Sequence, residues 1–160
     1  MLAKMWIIAM LASFTPFATQ AQDSAGDAPK RVDGLAVYVD IQPAAMAANW
    51  EGFHRSTGED TTTFTARPDL DRHLVVVVYD DRTGKRVNDA SISIVVSRQE
   101  PPGRSYTYSL DKMALGADAS YGKVVTMQRS ALYDFKVLIR RASKSKSEPV
   151  SVDFGPIRVD

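Results

Sequence analysis

Short segments that alternate between apolar and polar residues, separated by turn residues, constrain the fold of this chain most strongly. From Leu35 to Gln42 the residues alternate with period two, which is typical of a half-buried strand. No strong amphipathic helix intervenes between the later segments, as a parallel α/β sheet would require. The pattern therefore predicts an all-β fold, an immunoglobulin-like antiparallel β-sandwich of about seven strands. The other strands are predicted over 73–79, 91–97, 106–110, 123–128, 133–140 and 150–154.

Two of these segments carry more detailed predictions. The run from Leu74 to Val78 has no polar face, which indicates a central strand covered on both sides. The turn residues from Asp80 to Lys85 follow it, and Gly84 can take the positive φ of a hairpin turn. Tyr133 opens a later strand, which predicts a tyrosine corner with Phe135 in place of the usual core cysteine.

The segment 43–71 breaks this regularity and is predicted to form one long loop. Loops of this length are uncommon in compact domains and are often functional. Trp50 and Phe53 lie in it, on either side of Glu51 and Gly52. If exposed, this aromatic pair is a candidate contact for a partner. Alternatively, the two rings fold back and cap one open end of the sandwich.

The first 21 residues have the layout of a secretory signal peptide. Lys4 precedes an apolar run of about ten residues that is too short to span a bilayer, and small residues precede a plausible cleavage site at Gln22. We therefore expect residues 1–21 to be removed, 22–31 to form a flexible leader and 32–160 to form a single β-sandwich domain. The expected location is the periplasm, as an exported, soluble protein with no membrane span after signal removal.

Composition restricts how the domain is stabilised and what it binds. The chain contains no cysteine, so disulfides contribute nothing and stability must come from the core. The 20 Lys and Arg residues nearly balance the 19 Asp and Glu residues. A balanced charge indicates no nucleic-acid partner.

Catalytic motifs are absent from the sequence. The only histidines are His54 and His73, and the lack of cysteine excludes a thiol nucleophile and a His/Cys zinc site. Neither a Gly-x-Ser-x-Gly motif nor a glycine-rich phosphate loop occurs. We therefore expect no catalytic residues and no enzyme activity.

A soft-metal site is the one chemical alternative that the sequence supports. Met46, Met113 and Met127 remain after signal removal, and thioether together with imidazole ligands selects copper, above all Cu(I). His73 begins the most apolar strand, from which its imidazole would reach both the long loop with Met46 and His54 and the chain near Met113. The five residues show no metal-ligand spacing, and methionine also fills core gaps. They are the candidate copper ligands, and the alternative is that no metal binds.

Several segments resemble a known group of proteins. Residues 72–80, 83–90, 121–123 and 133–141 are similar to the small periplasmic β-sandwich proteins of proteobacteria, the YtkA-like and FixH-like domains. The resemblance covers roughly Asp71 to Phe154. It implies a binding or accessory role rather than catalysis, with a link to copper handling or oxidase assembly.

Two functions follow from these observations. The preferred prediction is an exported, non-enzymatic β-sandwich protein without cofactor that binds another envelope protein as an accessory factor. The alternative is a periplasmic copper-binding protein with a Met/His site. The two differ in whether His73 and methionine side chains lie together in the fold.

Overall fold

A computed structural model describes residues 28–47, 67, 69–115, 118–144 and 148–160. Almost all of them belong to antiparallel strands, with a single helical turn, α1 (Ala44–Ala47), and a short 3₁₀ turn at Ala142–Lys144. None of the described helices is long and apolar enough to cross a membrane. The strands are β1 (Lys30–Val32), β2 (Leu35–Pro43), β3 (Asp71–Asp80), β4 (Ala90–Glu100), β5 (Ser105–Leu115), β6 (Asp118–Thr126), β7 (Leu132–Arg141) and β8 (Val150–Arg158).

The eight strands form one sheet in the order β1-β2-β3-β6-β5-β4-β7-β8. Strand β5 belongs to both halves of this sheet, because its residues 105–110 pair with β4 and its residues 111–115 pair with β6. The sheet folds over along β5, so that the β1-β2-β3-β6 half lies against the β4-β7-β8 half. The all-β sandwich predicted from the sequence is confirmed.

The core lies between the two halves and draws on both. It includes the inward side chains of β2 and β3 on one side and those of β4, β7 and β8 on the other. The outermost strands also meet, since the Lys30 ammonium donates a hydrogen bond to the Asp153 carbonyl at 2.6 Å and lies over the Phe154 ring. The result is a nearly closed, barrel-like sandwich without a disulfide.

Tyr133 makes the hydrogen bond of a tyrosine corner. Its hydroxyl oxygen accepts the backbone N–H of Gln128 at 2.8 Å, five residues upstream. Phe135 is buried two residues later, in the core position that a cysteine occupies in antibody domains. The prediction for this corner is confirmed, and it fixes where β7 enters the sandwich.

The predicted hairpin after β3 is wrong, because β3 does not pair with the strand that follows it in the chain. The turn itself forms, with Gly84 at a φ of 66°, but only Tyr79 and Arg86 pair across it. The chain then crosses to the other half of the sheet and forms β4, which pairs with β5 and β7. The buried Tyr121 holds this crossover: its hydroxyl donates to the Val87 carbonyl and accepts from a backbone N–H at the start of β4.

One strand was not predicted, and another begins earlier than predicted. Strand β1 begins at Lys30, so ordered structure starts before Val32 and includes the end of the predicted leader. Strand β6 begins at Asp118 rather than near Lys123. Its first half was not recognised in the sequence because Gly122 and several small residues there do not alternate visibly between apolar and polar.

Candidate functional site

His73 lies on the outer face of the sheet and yet is buried. Its neighbour Leu74 points into the core, so His73 points the other way, but only 1% of its surface is exposed. In register it sits between Gln42 on β2 and Val124 on β6. The helical turn α1, which directly follows β2, packs against β3. His73 is therefore buried even though it lies on the face of the sheet that points away from the core.

Gly122 provides the space in which His73 meets Met113. A Cβ at position 122 would lie 2.7 Å from the His73 Nε2 atom and 2.6 Å from the Met113 Cε atom. The imidazole nitrogen and the thioether end therefore approach the same point, one from β3 and the other from β5. Gly122 lies between these strands on β6, and the missing side chain is what allows the approach. Any larger residue would fill this gap.

The two strand neighbours of this pair, Gln42 and Ser120, each carry a buried polar atom without a hydrogen-bond partner among the residues that the structure describes. Ser120 pairs with Met113 in the β5–β6 ladder and is completely buried. Within the described part of the chain, neither its hydroxyl oxygen nor the buried Oε1 of Gln42 has a hydrogen-bond partner. The Gln42 amide nitrogen donates to the Asp40 carboxylate, which fixes the orientation of the side chain. Buried polar atoms of this kind are costly unless a ligand or water satisfies them.

The imidazole of His73 is neutral at physiological pH. Burial lowers the pKa of His73 to about 4, although the Asp40 carboxylate acts in the opposite direction. A neutral imidazole has a free nitrogen lone pair, which is the form that binds metals. The site thus presents a nitrogen ligand without first having to release a proton.

A buried carboxylate fixes the start of β3, two residues before His73. Asp71 Oδ1 accepts hydrogen bonds from Arg67 Nη2 at 2.8 Å and from the Thr126 hydroxyl at 3.1 Å, while Oδ2 accepts the Arg67 backbone N–H at 2.9 Å. The Arg67 hydrogen bonds lower the pKa of Asp71 to about 2, so the carboxylate stays ionised. This network joins β3 to the end of β6 and so fixes the register in which His73 stands opposite Val124, two residues along β6 from Gly122.

The other candidate residues are distributed differently. Met127 is buried in the core, on the opposite face of the sheet from His73, so it cannot complete a site there. Met46 lies on α1, next to the β2 end that pairs with β3, and 62% of its surface is exposed. His54, Trp50 and Phe53 lie outside the described residues. A role for Trp50 and Phe53 in binding an envelope protein therefore stays a prediction.

The donor atoms of the site are soft or neutral. No cluster of three or more His, Cys, Asp or Glu side chains exists among the described residues. His73 and Met113, the outer-face pair, instead offer an imidazole and a thioether. The neutral amide oxygen of Gln42 and the hydroxyl oxygen of Ser120 belong to neighbouring residues of the sheet. This set suits Cu(I). Zn(II) prefers thiolates or several imidazoles, and hard cations prefer carboxylates.

Sequence reasoning missed three residues of the site. Gly122 had no visible role as a single glycine, and Gln42 and Ser120 are ordinary polar residues of strands. The period-two pattern held one usable signal. It places Gln42 on the polar face of its strand, opposite the residues that point into the core.

No protein-family model matches this sequence, and no curated protein sequence matches it either. Solved structures match its fold. FetP of uropathogenic Escherichia coli strain F11, as isolated after recombinant expression in the E. coli periplasm, superposes with a TM-score of 0.61 at 15% identity, covering 85% of this chain and 95% of FetP. A copper-bound variant of FetP gives 0.59 at 14% identity, covering 82% and 93% of the two chains.

Copper-reconstituted P19 from Campylobacter jejuni is a further match. It superposes with a TM-score of 0.56 at 16% identity, covering 82% of this chain and 92% of P19. At such low identities the likeness establishes the fold, and function has to be argued from the site.

Proposed function

We propose that this protein is a periplasmic copper-binding protein whose site is the outer-face pair of His73 and Met113. The observation that carries the proposal is their convergence on the gap at Gly122, where a Cβ would meet both side chains within 2.7 Å. A neutral imidazole nitrogen that lies close to the end of a thioether side chain is an arrangement that suits a soft metal ion. Simple core packing does not require a histidine there.

The chemistry of the ligands supports Cu(I) in particular. Imidazole and thioether both bind Cu(I) well, and the thioether discriminates against hard cations. In an oxidising compartment a site without thiolate also avoids disulfide formation. Copper held by this pair would supply a one-electron couple that the sulfur ligand biases toward the reduced state.

The solved structures support the same proposal independently. FetP and P19 share the fold over most of their length, and the structures of both include copper-bound forms. FetP was produced in the periplasm, which agrees with the signal peptide expected at residues 1–21. The copper-bound forms favour the copper-binding function over an accessory role without cofactor, whereas the periplasmic production bears only on the location.

Met46 and His54 are the further candidate ligands. Met46 is exposed on α1, which packs against β3, and His54 follows eight residues later in the sequence. We propose them as additional ligands, secondary to His73 and Met113. Ser120 and Gln42 would orient the site, because their buried oxygen atoms lie beside the pair without hydrogen-bond partners among the described residues.

Anaerobic competition for Cu(I) with a chromogenic chelator tests this proposal. The mature protein is expected to retain Cu(I) stoichiometrically and to show no comparable retention of Zn(II). Both His73→Ala and Met113→Leu should weaken Cu(I) binding by at least about 100-fold, because they remove ligands rather than the outer groups whose loss costs 10- to 100-fold.

Met127→Leu is the matched control for Met113→Leu. The chemical change is the same, and both methionines are buried, but Met127 lies in the core. It should retain wild-type Cu(I) affinity. A wild-type protein that releases all its Cu(I) to the chelator, or equal losses in the two methionine variants, would overturn the proposal.

A further inference from the structure

A second site lies where β5 leaves β6. The two strands pair only between Asp111 and Leu115 on β5 and between Asp118 and Gly122 on β6. From Lys123 onward β6 has no neighbouring strand on this side among the described residues, while the first half of β5 pairs with β4. The sheet therefore splits and leaves a cleft of about 530 Å³ between the two strands, which we call the β5–β6 cleft. Its volume is that of a small-molecule site.

The β5–β6 cleft is positively charged. Arg98 and Arg104 line it, and none of its described lining residues is an aspartate or glutamate. Neither arginine forms an ion pair with a carboxylate of the described residues. Several other arginines of the described residues do pair with an aspartate. Two guanidinium groups facing one cleft without a counter-charge favour an anionic ligand.

The guanidinium of Arg98 is held in position before any ligand binds. Its Nη1 atom donates to Gln128 Oε1 at 2.7 Å, and its Nε atom lies 2.8 Å from where a Cβ of Gly103 would stand. The glycine thus lets the group lie flat against the turn between β4 and β5. The Nε–H is buried and has no acceptor in the described part of the chain. The contacts with Gln128 and Gly103 hold the guanidinium in place, so less conformational freedom is lost when a ligand binds.

Flat apolar surface lies beside these arginines. Tyr106 and Tyr108 line the β5–β6 cleft and stack with their ring centroids 6.4 Å apart, and Tyr106 is 55% exposed. The side chains of Val125 and Met127 form an apolar floor. An aromatic ring bound here would contact tyrosine faces above and aliphatic groups below.

We propose that the β5–β6 cleft binds a small aromatic anion, with its charged group on Arg98 and Arg104 and its ring against Tyr106. This inference is independent of the copper site, which lies on the opposite face of the sheet. Two guanidinium groups without a carboxylate partner among the described residues, together with stacked tyrosines, favour a ligand that is both anionic and flat. A simple inorganic anion would use only the first of these features.

Binding of 2-naphthoate to the metal-free mature protein, measured by calorimetry, tests this proposal. The neutral isostere 2-naphthamide serves as the matched ligand. We expect 2-naphthoate to bind at least about tenfold more tightly, because a charge-assisted bidentate contact exceeds a neutral hydrogen bond by roughly that amount. Arg98→Gln should remove this preference without changing the affinity for 2-naphthamide. Tyr106→Ser should weaken the binding of both ligands.

Lys136→Gln is the control variant, since it removes an exposed cation on β7 that does not line the cleft. It should leave both affinities unchanged. If Arg98→Gln does not fold, Arg104→Gln, at an exposed position, carries the same test. Equal affinities for the two ligands, no binding of 2-naphthoate at millimolar concentration, or an unchanged preference in the arginine variants would each overturn the proposal.

Discussion

Val137→Asp is expected to leave the domain unfolded at neutral pH. Val137 is fully buried on β7, between Ile94 of β4 and Val152 of β8 in register. A carboxylate there would have no cation or hydrogen-bond donor, and burying it costs several kcal/mol. That loss is comparable with the whole stability of a domain of this size, which is about 5–15 kcal/mol. Circular dichroism and urea unfolding measure the effect, and Val76→Asp on β3 should behave alike.

The matched control is Val95→Asp on the outer face of β4. Val95 is only half-buried and stands opposite Lys136 across the β4–β7 ladder, so the new carboxylate meets a cation and water. Its stability should change by about 1 kcal/mol or less. A cooperative urea transition of Val137→Asp at the wild-type midpoint would show that the core does not lie between the two halves of the sheet.

Gly122→Ala is expected to lower both copper affinity and stability. The added Cβ would lie 2.6 Å from Met113 Cε, 2.7 Å from His73 Nε2 and 2.9 Å from the Leu74 carbonyl oxygen. The methionine end can move, but the carbonyl belongs to the β3–β6 ladder, so the strand must shift as well. Overpacking of this kind costs about 1–3 kcal/mol. Because at least one ligand is displaced, Cu(I) affinity should fall at least about tenfold in the competition assay.

Gly84→Ala separates these two effects. The change is chemically identical, but a Cβ at Gly84 meets nothing within 4 Å, and the only strain comes from its φ of 66°. This variant should lose about 1 kcal/mol through its backbone and keep its copper affinity. If Gly122→Ala binds Cu(I) as tightly as Gly84→Ala does, the gap at Gly122 is not a metal site.

The strands were predictable where one face is buried and the pattern has period two. Leu35 to Gln42 shows this, because Leu35, Val37 and Val39 lie in the core and Ile41 packs against it. Strand β1 was missed because Lys30 and Arg31 are exposed and the strand is short. The pairing of β3 was also beyond local reasoning. The turn at Gly84 is encoded locally, but the partner of a strand is set by contacts far along the chain, which joined β3 to β2 and β6.

The candidate site was predictable in its ligand types and only partly in its members. His73 and Met113 were named from their chemistry, and the fold brings them to one gap. Met127 has the same chemistry, but strand parity places it in the core. The role of Gly122 depends on the alignment of β3, β6 and β5, and no single segment of sequence encodes that alignment.

X-ray absorption spectroscopy of the Cu(I)-loaded mature protein tests the central claim most directly, because it reports which atoms surround the metal. The copper-binding proposal predicts imidazole nitrogen together with sulfur in the first coordination sphere, and a loss of sulfur scattering in Met113→Leu but not in Met127→Leu. A first sphere of nitrogen and oxygen alone, or sulfur scattering that is unchanged in Met113→Leu, would contradict a copper site at His73 and Met113.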